Sequence, residues 1–308
     1  MKEKALEALL FTGTSHRQLA ANIARCLGVA LGKVKIEPFP DGEINLQVQE
    51  DVRGRDLFVL QTIALQPNEY LVELLLLIDA LKRGAAGSIT VVLPYFGYCR
   101  QDRADKSGVP ITAKLVADLL EQAGATQLLT VDLHAAQLQG FFDIPVTDVA
   151  AKDVMAEGFK ELYGLKDVCV VAPDIGSVKL ARSYARALGA HMAIVDKVRS
   201  GPTQVDAVTV IGDVKGKDIL LADDMCSTGS TLASAAKACR EKGAKRIFAA
   251  VTHGILVGDA MQKIAESPIE ALMISDTIPI DGRVHHDVKV HIISIAPLLA
   301  RAIRSIVR

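Results

Sequence analysis

Short apolar runs recur along the chain, with longer amphipathic stretches between them. Runs rich in Val, Ile and Leu predict strands over residues 9–12, 33–38, 57–61, 88–93, 127–132, 168–172, 191–196, 205–211, 218–222, 246–252, 271–275 and 288–294. Helical patterning falls over 16–27, 68–82, 112–122, 152–162, 178–188, 230–242, 257–265 and 297–306. Most strand runs are apolar throughout rather than alternating, as expected of a parallel sheet covered by helices on both faces. Repeated strand–helix alternation predicts the α/β class with right-handed crossovers. Ligands of such sheets gather at the carboxyl ends of the strands, so the residues just after each strand carry the functional reading.

A length of 308 residues suits two domains of about 150 residues each. A faint repeat points the same way. Gly124-Ala125 leads into an apolar strand and on to His134, and Gly243-Ala244 leads similarly to His253. A boundary in the stretch 145–150 gives expected domains 1–147 and 148–308. With 4% aromatics and no Trp, the cores must be aliphatic. Thirty-five basic against 36 acidic residues leave a net charge of −1, so no basic field exists to grip nucleic acid or an anionic membrane. The most apolar helical run, 70–81, is interrupted by Glu73 and Asp79 and is too short to span a bilayer. Residues 1–7 alternate charge with small apolar side chains and do not read as a secretory signal. Five irregularly spaced cysteines without a CxxC pair read as reduced thiols, which predicts a cytoplasmic protein without a disulfide frame or zinc site.

The strongest chemical signal is Ile219-Leu220-Leu221-Ala222-Asp223-Asp224-Met225-Cys226-Ser227-Thr228-Gly229-Ser230-Thr231. An apolar strand ends in two adjacent carboxylates, a Ser/Thr/Gly loop comes next, and a helix begins near Ser230. Successive side chains diverge, so Asp223 and Asp224 can reach separate hydroxyls. The loop hydroxyls and the free amides at the helix start suit a phosphate dianion. Acids for sugar hydroxyls beside an anion cradle describe a sugar-phosphate pocket, whereas a merely capped helix would not need two acids directly after a buried strand.

This strand–loop–helix resembles the phosphoribosyl-diphosphate loop of type I phosphoribosyltransferases. Five further motifs narrow the likeness. They are Phe39-Pro40-Asp41-Gly42-Glu43, Pro94-Tyr95-Phe96-Gly97-Tyr98-Cys99-Arg100-Gln101-Asp102-Arg103, Pro110-Ile111-Thr112-Ala113-Lys114, Val131-Asp132-Leu133-His134 with Gln139-Gly140-Phe141-Phe142-Asp143-Ile144-Pro145, and Ala172-Pro173-Asp174. In this order they resemble the ribose-phosphate pyrophosphokinase family nearly from end to end. The resemblance implies two tandem phosphoribosyltransferase-like domains, each a mainly parallel sheet flanked by helices. It implies transfer of a diphosphoryl group from ATP to ribose 5-phosphate with Mg²⁺ as cofactor, and self-association to at least a dimer and up to a hexamer.

By the same resemblance, Phe39, Asp41, Gly42 and Glu43, often supplied by a neighbouring subunit, contact ATP, as do Arg100, Gln101 and Asp105. Asp223, Asp224, Ser227, Thr228, Gly229, Ser230 and Thr231, with Arg199, hold ribose 5-phosphate. His134 and Asp174 hold the metal, with Asp132 and Asp143 as further acids. Lys197 and Arg199 are catalytic, on a loop that closes over the reacting phosphates. Taken alone, the Arg100–Arg103 run reads as a solvated turn, and a lone His such as His134 is more often structural than a ligand. Ser227 stands where many members have a third Asp, Ser177 replaces the second Gly after Asp174, Val198 interrupts a basic pair, and the next acid of the metal string falls on Thr147. His285-His286-Asp287 reads as a solvated turn, since adjacent side chains point apart. Two rivals share the Asp223–Thr231 loop. An ordinary phosphoribosyltransferase would not need the Arg100-Gln101 and His134 motifs, and a silent regulatory homologue should have lost the Lys197 loop or the paired acids.

Overall fold

The computed structural model describes residues 8–164, 167–198, 207–280, 282–284 and 288–307. The chain divides into two compact units. One comprises residues up to Val149, Thr277–Pro279 and the segment from Ile295 onward; the other comprises Ala150–Asp276 and Ile280–Ser294.

The first unit runs through β1 (Leu9–Thr12), α1 (Arg17–Leu27), β2 (Val34–Pro38), β3 (Ile44–Val48), β4 (Asp56–Leu60), α2 (Pro67–Arg83), β5 (Ser88–Leu93), α3 (Thr112–Ala123), β6 (Gln127–Val131), a 3₁₀ turn at Ala136–Phe141 and β7 (Val146–Val149). Its sheet has the order β1-β4-β5-β6-β7, parallel throughout. The antiparallel pair β2-β3 stands as a separate ribbon. Leu57 to Leu60 are all buried, as a continuously apolar strand inside a covered sheet must be. His16 caps α1 by accepting from the Leu19 amide (3.4 Å), and Pro67 occupies the first turn of α2, where a missing N–H costs nothing.

The second unit contributes α4 (Lys152–Tyr163), β8 (Val168–Ala172), α5 (Val178–Leu188), β9 (His191–Val198), β10 (Ala207–Ile211), β11 (Asp218–Cys226), α6 (Ser230–Glu241), β12 (Arg246–Gly254), α7 (Ala260–Ala265), β13 (Ala271–Ser275) and β14 (Lys289–Ile293). The strand order is β10-β9-β8-β11-β12-β13-β14, with only β10 antiparallel to its neighbour. Asp218 and Arg246 open the paired strands β11 and β12 and form a two-pronged ion pair at 2.8 and 2.9 Å. The Arg246 guanidinium holds the Asp218 carboxyl below the usual carboxylate range. The last helix, α8 (Ala296–Ile306), belongs to the first unit, where it packs on α1.

The α/β class and parallel sheets predicted from the sequence are present. Two strands were not predicted. β3 alternates (Ile44-Asn45-Leu46-Gln47-Val48) and buries one side only, while β7 is four residues long and half polar. β11 and β9 run past their expected ends, to Cys226 and Val198. Instead of a single cut at 147/148, the chain returns to the first unit twice. Arg304 donates to the Cys26 carbonyl (2.9 Å) and Thr62 to the Thr277 carbonyl (2.9 Å), which ties both late segments to residues of that unit.

A repeat exists, but its register differs from the one read off the Gly-Ala pairs. In each unit a first strand is followed by an inserted antiparallel pair or strand and then by four parallel strands, so β1, β4, β5, β6 and β7 match β8, β11, β12, β13 and β14. Gly124-Ala125 therefore leads into the fourth strand of its set and Gly243-Ala244 into the third. Among the described residues, no helix is long and apolar enough to cross a membrane. All five cysteines are free; burial pushes the Cys169 thiol up to about 11 and those of Cys226 and Cys239 to about 12.

At the ends of β1 and β4 lies a closed polar network. Glu73 of α2, 3% exposed, accepts from the Thr14 amide (2.6 Å), the Thr14 hydroxyl (2.6 Å) and Gln61 Nε2 (2.8 Å). Gln61 Oε1 in turn accepts from the Ser15 hydroxyl (2.6 Å), whose oxygen accepts from the Thr62 amide (2.7 Å). A Cβ on Gly13 would fall 2.4 Å from Glu73 Oε1, so the loop needs glycine there. Glu73→Leu strands several buried donors and is expected to destabilise the protein by about 3 kcal/mol, read from the urea midpoint, whereas Glu73→Gln retains part of the network and loses less.

Candidate active site

In the second unit, β8 and β11 are neighbours, and acids gather near the carboxyl ends of both. β8 stops at Ala172, and Asp174 opens the turn into α5. Its carboxylate accepts from the Ser177 amide (3.0 Å) and its carbonyl from the Ser177 hydroxyl (3.0 Å). Ser177, which stands in place of glycine, is one of the residues that hold this loop. Asp223 is 8% exposed and lies within β11 rather than after it; its Oδ1 accepts from the Asp224 amide (3.0 Å). Burial raises the Asp223 carboxyl well above the usual carboxylate range, and the charges of Asp224 and Asp174 push it further the same way.

Ser227, Thr228 and Gly229 form the loop from β11 into α6. Leu256 and Val257 donate their amides to the carbonyls of Cys226 (3.0 Å) and Ser227 (2.9 Å), which pins the outer side of the loop. Gly229 has φ 74°, and a Cβ there would lie 2.8 Å from the Ala260 carbonyl oxygen, so no other residue fits. No side chain caps α6. The amides of its first turn, with the hydroxyls of Thr228, Ser230 and Thr231 beside them, therefore face outward as an anion cradle. Acids and cradle stand side by side on one strand–loop–helix.

Lys197 lies in β9, opposite Val208 of β10, rather than in a loop after the strand. The pair β9-β10 thus forms the base of a hairpin whose connection includes Arg199, which lies outside the described residues, as do His285, His286 and Asp287.

The first unit holds a cavity of about 530 Å³ whose walls include Arg100, Gln101, Asp102, Arg103, Asp105, His134 and Gln137. Gln101 is fixed from behind: its side-chain oxygen accepts from Thr112 (2.6 Å) and its carbonyl from the Ala113 amide at the start of α3 (3.1 Å). Gln137 Nε2 donates to Asp102 (2.9 Å), which links two walls. Two bends feed these walls through left-handed non-glycine residues, Tyr98 (φ 66°) and Asp132 (φ 42°). Arg100, Gln101, Asp105 and His134 are brought together as expected. Arg103, Asp102 and Gln137 also line the cavity and were not singled out; for the first two, the charged run itself was the signal.

The other assigned residues lie elsewhere. Phe39, Asp41, Gly42 and Glu43 form the turn of the β2-β3 hairpin, closed by Phe39 N to Glu43 O (2.7 Å), with Gly42 at φ 92° and Phe39 46% exposed; none of them lines the cavity. Asp143 is outside the walls too, its amide donating to Glu121 (2.7 Å). Asp132, expected at the end of a strand, is instead the left-handed bend after β6. Asp148 of β7, which the sequence did not suggest, accepts from the Leu133 amide (3.2 Å), and burial pushes its carboxyl up to about 6.

Among the described residues, no three His, Cys, Asp or Glu side chains are arranged to hold a metal by themselves. The donor set nevertheless fits Mg²⁺. Asp174, Asp223 and Asp224 offer hard oxygen ligands close enough for the charges of Asp174 and Asp224 to act on Asp223, and Mg²⁺ completes its shell with water and phosphate oxygens.

Comparison with known proteins places this geometry. Residues 8–124 match the model of the N-terminal domain of ribose phosphate pyrophosphokinase, and residues 198–308 match that of the phosphoribosyl synthetase-associated domain. The chain belongs to the ribose-phosphate pyrophosphokinase family. It is 47% identical over 294 residues to the ribose-phosphate pyrophosphokinase of Brucella melitensis, covering 96% of this chain and 95% of that one. It is 46% identical to the Clostridium perfringens protein of the same name, covering 99% and 96%. Among solved structures, phosphoribosylpyrophosphate synthetase from Mycobacterium smegmatis superposes with a TM-score of 0.91 at 42% identity, covering 97% of this chain and 98% of that one. The two units are accordingly phosphoribosyltransferase-like domains of that family, as the motifs implied.

The acid cluster sets a pH dependence. An acid whose carboxyl is raised in the folded state favours folding most below the ordinary carboxylate value and loses that contribution as pH climbs toward its folded value. Asp223→Asn should therefore melt above the unmutated protein at about pH 8, and the difference should shrink toward about pH 4. Parallel melting curves at both pH values would contradict the crowding of these carboxylates.

Proposed function

We propose that the chain transfers the β,γ-diphosphoryl group of ATP to the C1 hydroxyl of ribose 5-phosphate, giving 5-phosphoribosyl 1-diphosphate and AMP. The observation that carries this reading is the pairing of buried Asp223 and half-buried Asp224 with an uncapped α6 start on one loop, in a member of the ribose-phosphate pyrophosphokinase family. Asp223 and Asp224 hold the ribose hydroxyls, while Ser227, Thr228, Gly229, Ser230 and Thr231 hold the 5-phosphate. A sugar hydroxyl that donates to a carboxylate relieves the crowding that burial imposes there.

In the first unit, Arg100 and Arg103 face the phosphates of ATP, with Gln101, Asp105 and His134 around it. Guanidinium groups pair with phosphate oxygens in a planar, two-pronged way that suits a nucleoside triphosphate. Phe39, Asp41, Gly42 and Glu43 lie on a projecting hairpin away from this cavity, which supports their contribution to the ATP site of a neighbouring copy. Mg²⁺ neutralises phosphate charge and orients the oxygens when bound; Asp174 is its ligand in the second unit, and His134, with Asp132 and Asp143 near it in sequence, in the first. Lys197 and Arg199 stabilise the charge that builds on the phosphoryl oxygens. Positioning and charge carry most of the rate.

Self-association to a dimer or larger fits the exposed apolar stripes Val72 and Leu76 on α2 and Leu115 and Leu119 on α3, helices that pack together. Sedimentation should give a particle of at least two chains. AMP formation from ATP and ribose 5-phosphate, with and without Mg²⁺, tests the reaction directly, and absence of AMP with the metal present would overturn it. Lys197→Ala should lower kcat by at least about a hundredfold and leave ribose 5-phosphate binding nearly unchanged, as expected for a cation that acts on the transition state.

A further inference from the structure

The bend after β6 is the least comfortable part of the cavity wall. Asp132 takes a left-handed conformation that a residue with a Cβ adopts only when its surroundings impose it. Two hydrogen bonds impose it, one on each side, and both come from β7. The Asp132 amide donates to the Val149 carbonyl (3.1 Å), and the Leu133 amide donates to Asp148 Oδ1 (3.2 Å). The first is ordinary continuation of the β6-β7 ladder. The second depends on a side chain, and nothing in the strand pairing would replace it.

Beyond the bend the chain becomes the wall itself. His134 and Ala135 line the cavity, and Gln137, at the start of the 3₁₀ turn, also lines it and reaches Asp102 at 2.9 Å. The direction of this segment is set where the chain leaves Leu133. We propose that Asp148 is a positioning residue for the nucleotide cavity: its carboxylate oxygen holds the Leu133 amide, and so fixes the bend that presents His134 and Gln137 to the ligand. This rests on the reading of the cavity as the ATP site. Asp148 lies in β7 and acts on that wall through the backbone.

An acceptor, not a charge, is what the arrangement requires. The side-chain oxygen of asparagine can take the same hydrogen bond, while alanine and leucine cannot. Three variants separate the possibilities, each checked by circular dichroism and thermal melting. ATP binding is measured by calorimetry without ribose 5-phosphate, and steady-state kinetics are measured beside it. Asp148→Ala is expected to weaken ATP binding at least about fivefold while the KM for ribose 5-phosphate stays within about twofold. Asp148→Asn is expected to remain within about twofold of the unmutated chain in both.

If Asp148→Ala does not fold, Asp148→Leu, which keeps the branching at Cγ without the acceptor, carries the same expectation. If neither folds while Asp148→Asn does, the residue serves the fold alone and the proposal fails. The proposal is also overturned if Asp148→Ala binds ATP like the unmutated chain, if Asp148→Asn falls as far as Asp148→Ala, or if both substrates weaken together. An unmutated chain that binds no ATP would remove the nucleotide reading itself, whereas normal ATP binding by both the unmutated and alanine chains removes only the role of Asp148.

Discussion

Three carboxylates share the carboxyl ends of β8 and β11, and the chemistry of the second unit is governed by how little they can tolerate one another. Asp223 is buried, Asp224 is its chain neighbour and Asp174 adds its charge across the paired strands. Removing one such group from water is costly, and gathering three is more so. Among the donors that meet them are the Asp224 amide, to Asp223, and the Ser177 amide, to Asp174. Under the proposed function, a pentose and a divalent cation would bring such a cluster hydroxyl donors and positive charge.

The first unit meets the opposite problem. Its cavity gathers Arg100 and Arg103, and the difficulty is to aim walls that come from separate loops. Aim is secured by backbone held in uncommon shapes, at Tyr98 two residues before Arg100 and at Asp132 two residues before His134. Left-handed non-glycine residues cost roughly 1–3 kcal/mol each, and they persist only where neighbours over-determine them. Gln101 shows the same economy of means, since it anchors the start of α3 while facing the cavity.

Much of this could be read in the sequence, for identifiable reasons. The strand cores carry continuous apolar runs because both faces are covered, and the Asp223–Thr231 loop is contiguous, so its chemistry stays visible in one dimension. β3 was missed because only alternate residues are even half-buried, and β7 because four residues with a Thr and an Asp leave too little pattern. Asp148 was invisible for a deeper reason. Its partner is a backbone amide fifteen positions earlier, and no side-chain pattern records such a contact. The return of the last helix to the first unit was equally hidden, since it depends on Arg304 meeting the Cys26 carbonyl. The internal repeat was real, but the Gly-Ala pairs mark helix ends that any crossover can use, and they misaligned it by one strand.

Corrected in that way, the repeat sets β1 and β4 beside β8 and β11 as equivalent positions, and the two copies have diverged sharply there. Where the second copy crowds its acids together, the first has turned its strand ends inward, with Glu73, Gln61, Thr14 and Ser15 saturating one another. A carboxylate from the chain's own helix now rests on the loop amide and hydroxyl that an incoming anion would seek. Such a copy has no vacancy to advertise. The same architecture, built twice, thus carries unlike strand ends: one copy gathers carboxylates there and the other is closed from within by its own helix.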